Sequence, residues 1–198
     1  VLLASVPMGI LAAVKSGHWQ DMLLMGLATI GVTIPSFVIA SLLIYCFSFR
    51  LKLLPTYGLA SLSGYILPVI ALGGYSVSYM ARLMRSSLLE VMGQDYIRTA
   101  RAKGLTEGAV VFRHALRNAL IPLVTVLGPT IANLLTGSFV VEKIFAIPGL
   151  GVHFVNSVSQ RDYTTIMGVT IFYASFLMGM TLLVDLFYCL IDPRIRYD

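Results

Sequence analysis

Charge is scarce in this sequence. Asp, Glu, Lys and Arg make up only 12% of its 198 residues, about half of the ~25% usual in soluble domains. With 58% hydrophobic residues and a mean hydropathy of +0.87, that scarcity excludes an ordinary soluble domain and predicts an integral membrane protein. Cysteine is nearly absent too. Cys46 and Cys189 both lie in apolar runs, with no C-x-x-C and no Cys/His ligand spacing, so neither a disulfide framework nor a structural metal is predicted. The three histidines, His18, His114 and His153, have no partner spacing for metal binding or nucleophilic catalysis. No Walker A pattern occurs, so the chain is not expected to hydrolyse ATP itself. The net charge of +5 would suggest nucleic acid in a soluble protein. Here it lies in loops between apolar runs, with no aromatic-interleaved patch for base stacking, and nucleic-acid binding is not expected.

What is present is a succession of long apolar segments. Residues 1–14 are charge-free but too short to cross a bilayer alone, since a spanning helix needs about 20 apolar residues. The chain opens at Val1 without a basic n-region, like the second half of a membrane helix, and an N-terminally truncated chain is expected. Lys15 to His18 reads as a turn, after which Asp21 suits the start of the next helix. Met22 to Phe49 is long enough to cross, with Pro35 predicting a bend. Residues 59–81, Asn118 to Val141 and Tyr163 to Ile191 are the next crossings. The expected fold is all-α, a polytopic transmembrane helical bundle with four full crossings and one partial N-terminal crossing, forming a single domain over 1–198. Glu142 to Asp162 reads as a loop. Its Phe145, Ile147 and Leu150 are apolar enough to dip into the membrane edge or to pack on the bundle. Asp185 is the one acid deep in an apolar span, about 10 Å before Asp192 along a helix. A structural ion pair or hydrogen bond is the favoured reading for it over a proton relay.

Lys and Arg divide unevenly between alternate loops. Ten fall on one face: Lys15, Arg82, Arg85, Arg98, Arg101, Lys103, Arg113, Arg117, Arg194 and Arg196. Four fall on the other: Arg50, Lys52, Lys143 and Arg161. Positive residues favour the cytoplasm, so the central loop, about 82–117, and the C-terminus are expected inside. Within that loop, Gln94 to Lys103 can form a short helix ended by Gly104 in a left-handed cap. Thr106 can then cap a second short helix carrying Glu107 in its first turn. Helix, glycine and helix together make a compact peg.

The string Asp95-Tyr-Ile-Arg-Thr-Ala-Arg-Ala-Lys-Gly-Leu105, followed by Arg113-His-Ala-Leu-Arg-Asn-Ala-Leu-Ile-Pro122, resembles the coupling loop of ABC-importer permeases of the dipeptide/oligopeptide/nickel group. Thr99 to Gly104 follows the shorter E-A-A-x-x-x-G pattern of ABC permeases, with Arg98 where that pattern has Glu. Phe145 to Gly151, Arg161-Asp162-Tyr163 and Asp192 to Tyr197 match the same group, so the resemblance covers nearly the whole chain.

The resemblance implies the type I ABC-importer permease fold in a bacterial cytoplasmic membrane. It implies half of a translocation path for oligopeptides or dipeptides, worked by alternating access. Arg98, Thr99, Ala100, Arg101, Ala102, Lys103, Gly104 and Leu105 would seat in a cleft of an ATPase subunit. Ala100 and Ala102 would allow close approach, while Arg101 and Lys103 would face acidic groups. The implied partners are a second homologous permease, two ATP-binding cassette subunits that bind ATP and Mg, and an extracytoplasmic substrate-binding protein. No cofactor is expected in this chain. Nickel, glutathione or another small solute is the alternative cargo. A secondary transporter is the alternative class, disfavoured because Asp185 alone could couple ions. An intramembrane hydrolase would need paired Ser/His or Asp/Asp within spans, and none is found.

Overall fold

The computed structural model describes residues 1–58 and 61–191. The side chains of Asp185 and Cys189 and the Asp192–Tyr197 motif lie outside the described residues. Those described form helices and turns, with no strand among them. In order these are α1 (Leu2–Val14), α2 (Trp19–Thr33), α3 (Ser36–Leu43), α4 (Ile66–Met92), α5 (Asp95–Ala102), α6 (Glu107–Ala109), α7 (Leu116–Ala119), α8 (Ile121–Thr136), α9 (Phe139–Ile144), α10 (Leu150–Gln160) and α11 (Tyr163–Ile191). A π-helical stretch, Ile44–Arg50, continues α3, and another, Val110–Ala115, joins α6 to α7.

Among the described residues, three helical segments are long and apolar enough to cross a membrane: Leu62–Met92, Ile121–Ile144 and Tyr163–Leu183. A fourth is counted if Trp19–Thr33 and Ser36–Arg50 serve as one broken span. The bend expected at Pro35 is thus a full interruption. Pro35 is extended (φ −57°, ψ 142°), because its missing N–H and its ring both oppose a continuous helix. α1, at 13 residues, is too short to span.

Two expectations for the connections need correction. α4 does not stop at residue 81 but runs on to Met92, carrying Arg82, Arg85 and Glu90. No proline or glycine interrupts that stretch, and Met80, Met84 and Leu88 recur at helical spacing and are fully buried. The segment Glu142 to Asp162, read as a loop, holds the end of α9 and the whole of α10. Pro148 and Gly149 mark only the entrance to α10, for which Gly149 is the N-cap. Arg161, in the left-handed conformation (φ 58°), ends it.

The chain packs as two compact units, one formed by Val1–Thr33 with Tyr75–Leu127 and the other by Ile34–Gly74 with Gly128–Asp198. The first unit is built around Met84, Leu88, Ile97, Val110, Val111, Ala115 and Leu123. The core of the second unit is Ala40, Leu67, Ala71, Val141 and Phe145, with Ile147 against it. Phe145 and Ile147 therefore pack on their own unit, whereas Leu150 is exposed. Glu142 accepts a hydrogen bond from the Gly151 N–H at 2.8 Å, tying α9 to the first turn of α10.

Candidate coupling site

The polar centre of the sequence folds as a helix–glycine–helix within the first unit. Gln94, extended at ψ 152°, opens α5, and Asp95 lies in its first turn, where a carboxylate suits the exposed N–H groups. Lys103 caps the C-terminus, and Gly104 follows at φ 77°. An L side chain is disfavoured in that left-handed conformation. Thr106 then caps α6, its hydroxyl accepting from the Ala109 N–H at 3.4 Å. These are the elements expected from the sequence.

One face of α5 holds it to the body. Ile97 and Ala100 are buried in the core cluster with Val110, Val111 and Ala115. The Asn118 side-chain amide donates to the Tyr96 hydroxyl at 2.8 Å, linking α5 to α7. The Ser87 hydroxyl donates to the Ala119 carbonyl at 2.9 Å, pinning α4 to the end of α7. A short helix cannot sustain itself in water. Here burial on one side and hydrogen bonds at the margins keep α5 and α6 fixed.

The other face is open. Arg98, Thr99, Arg101, Ala102, Lys103, Gly104 and Leu105 are exposed. Ala100 is not; it faces inward and anchors α5, whereas the resemblance implied a docking contact for it. Arg101 is also differently employed. Its Nε donates to Glu107 Oε1 at 2.8 Å and its Nη2 to Oε2 at 3.2 Å, a two-pronged bridge across Gly104. Both groups are substantially exposed, so the bridge, which links α5 to the first turn of α6, contributes only about 0.2–1 kcal/mol. Arg98 makes a single longer contact of 3.4 Å with Asp95. No described residue pairs with Lys103. Among the described residues, no three His, Cys, Asp or Glu side chains gather as a metal site.

An ion pair between α2 and α4 carries no signal in the sequence. Arg85 on α4 donates from Nε to Asp21 Oδ1 and from Nη2 to Asp21 Oδ2, both at 2.6 Å. The Gly17 N–H donates to the same carboxylate at 3.0 Å. Asp21 is buried. The partners stand 64 residues apart, too far for any local pattern to connect them.

Taken together, apolar helices long enough to cross a membrane and a compact helix–glycine–helix with an exposed cationic face define a helical membrane protein. The chain matches the binding-protein-dependent transport system inner membrane components over residues 5–197, and it belongs to that family. It is 50% identical over 195 residues to the dipeptide transport system permease protein DppB of Bacillus subtilis (strain 168), covering 98% of this chain and 63% of that protein. It is 46% identical over 196 residues to the glutathione transport system permease protein GsiC of Salmonella typhimurium (strain LT2), covering 99% and 64%. It is 43% identical over 199 residues to the DppB of Lactococcus lactis subsp. cremoris, covering 98% and 66%. The chain thus spans just under two thirds of the length of these curated relatives.

Proposed function

We propose that this chain is the membrane-spanning permease subunit of an ATP-driven importer of dipeptides or oligopeptides. Residues 98–105 are its contact with a separate ATPase subunit. The observation that carries the reading is the one-sided anchoring of α5. Ile97 and Ala100 are buried in the core, while Arg98, Ala102, Lys103 and Leu105 are presented outward. Moving a transport cycle from one access state to the other needs about 5.5 kcal/mol of differential binding to shift a 1:99 equilibrium to 99:1. A peg already ordered by its own core transmits such a bias. A loop that had to order on contact would lose part of it to conformational entropy. The relatives' names, dipeptide and glutathione permeases, support peptide-like cargo.

On this reading ATP and Mg belong to two ATPase subunits, a second homologous permease completes the path, and an extracytoplasmic binding protein delivers cargo. The central loop and C-terminus face the cytoplasm. The Arg85–Asp21–Gly17 link supports that orientation, since it joins the Lys15–His18 turn to the cation-bearing end of α4.

The test reconstitutes the full-length protein with its partner permease and ATPases in lipid vesicles. ATP hydrolysis is followed with binding protein that is empty, peptide-loaded or loaded with a nickel chelate. Peptide is expected to stimulate hydrolysis. Ala102→Trp and Lys103→Glu, both on the exposed face, are expected to reduce that stimulation roughly tenfold, a coupling loss of about 1.4 kcal/mol. Stimulation by nickel alone would change the cargo. Wild-type coupling in both variants would remove the assignment of residues 98–105.

A further inference from the structure

The first unit contains an open cavity of about 620 Å³ between α2 and α4 that the coupling site does not use. From α2 come Met25, Thr29 and Val32, and from α4 Tyr75, Tyr79, Arg82 and Leu83, with Arg85 and Ser86 at one end. On each helix these residues recur three or four apart and so share one face. Its size lies within the range of small-molecule sites, about 300–1,000 Å³.

The polar groups in this cavity differ in what they already do. Arg85 is neutralised by Asp21. The Thr29 hydroxyl donates to the Met25 carbonyl and the Ser86 hydroxyl to the Leu83 carbonyl, so both are occupied by their own helices. Arg82 is different: no described residue supplies it with a carboxylate or a hydrogen bond. It lies sixteen residues into α4, about 24 Å along the helix. On the orientation proposed above it stands with Arg85 toward the cytoplasmic end of the crossing, with its side chain exposed, and a guanidinium there without a counter-charge is available to an anionic ligand entering the cavity. Beside it, Tyr75 and Tyr79 stack in parallel with ring centroids 6.2 Å apart, offering flat apolar area with hydroxyls at the edge.

We infer that Arg82 binds the free carboxylate of the cargo as it passes through this cavity, with the Tyr75–Tyr79 pair receiving the adjoining side chain. The inference rests on the peptide cargo proposed above. Among peptides of varied sequence, the α-carboxylate is the shared anionic group. An uncommitted guanidinium recognises it in a charge-assisted, two-pronged geometry. The aromatic pair tolerates varied side chains, because stacking area does not depend on a fixed hydrogen-bond pattern. An anionic lipid headgroup is the competing ligand. It would need only the cation, whereas the cavity combines the cation with an aromatic wall.

The test follows uptake of radiolabelled dialanine and ATP hydrolysis by the full-length, fully assembled transporter in vesicles. Arg82→Gln is expected to lower uptake about tenfold while binding-protein-stimulated hydrolysis persists. Arg82→Lys is expected to retain most of the uptake. The loss should be equal in phosphatidylcholine vesicles with and without phosphatidylglycerol. In the solubilised transporter without binding protein, a photoreactive dialanine analogue is expected to label α2 or α4. Free dialanine should compete with it and the C-terminal amide should not. This second measurement also decides the matter if Arg82→Gln fails to co-purify with the ATPases. Undiminished uptake by an assembled Arg82→Gln transporter, a loss confined to anionic vesicles, or equal competition by the amide would overturn the inference. Wild-type import of dialanine with any of those results leaves the peptide reading standing and removes this one alone. No wild-type import at all removes both.

Discussion

Removing either member of the Asp21–Arg85 pair would leave the other without its counter-charge. The pair is bidentate, and its carboxylate is also held by the Gly17 N–H. Such pairs are expensive to break because the surviving charge stays desolvated, even where the intact pair adds little over an apolar replacement. Asp21→Ala is therefore expected to destabilise the protein by about 3 kcal/mol, read by thermal unfolding in one fixed detergent. Asp21→Leu combined with Arg85→Met is expected to recover much of that loss. A single variant as stable as wild type would show that water already reaches the pair. Gly9 on α1 carries the opposite kind of constraint, one of space. A Cβ there would stand 2.5 Å from the Met84 Cβ and 2.7 Å from the Ala81 carbonyl oxygen. Gly9→Ala is expected to force α1 away from α4 at a cost of about 1–3 kcal/mol, seen as faster hydrogen exchange in α1. Unchanged exchange there would mean that α1 shifts freely.

Individual elements were legible in the sequence where their signals were local. Gly104 ends α5, and Thr106 with Glu107 opens α6, because a left-handed cap and an N-cap are written in single residues. α10 was not legible. Its entrance is dense in proline and glycine, and its interior mixes Val152, Phe154, Val155 and Val158 with His153, Asn156, Ser157 and Ser159, so no long apolar run announces it. The direction in which α5 faces was also hidden. Ala100 and Ala102 are alike as residue types, and only the packing of Val110 and Val111 against α5 makes one an anchor and the other surface. At the start of α11, Asp162 accepts from the Thr165 hydroxyl at 2.6 Å and from the Thr165 N–H at 3.1 Å. The hydroxyl bond foremost, then the N–H, holds its carboxyl below the ordinary value of 3.8. A depressed carboxylate stabilises the fold fully above its unfolded value, and the contribution is lost as pH falls through the folded one. The stability difference between wild type and Asp162→Ala is thus expected to be constant from about pH 5 to 8 and to shrink only below about pH 4. A difference that instead changed near neutral pH would have to come from another group.

On the scale of the whole molecule, the paired features are a largely uncovered apolar surface and an uneven distribution of cations. α11 exposes Met167, Ile171, Phe172, Met178 and Leu182, a surface that water cannot cover without cost and lipid can. The proposed orientation comes from the sequence alone, because it depends on counting Lys and Arg by loop rather than on any long-range contact. The number of spans was less readable, since Pro35 divides one apolar run into two helices and hydropathy alone does not register the break. The orientation makes a topological prediction that needs no transport assay. Cys46 and Cys189 are first replaced by Ala to give a cysteine-free background. Lys103→Cys and Lys143→Cys are then introduced singly into the full-length protein in right-side-out vesicles. With a membrane-impermeant maleimide, Lys143→Cys is expected to react at once and Lys103→Cys only after permeabilisation, since Lys143 belongs to the poorly charged face and Lys103 to the peg. Immediate labelling of Lys103→Cys would put the peg outside, where no ATPase could reach it. The coupling assignment would then fail, even though the helical peg itself remained correctly described.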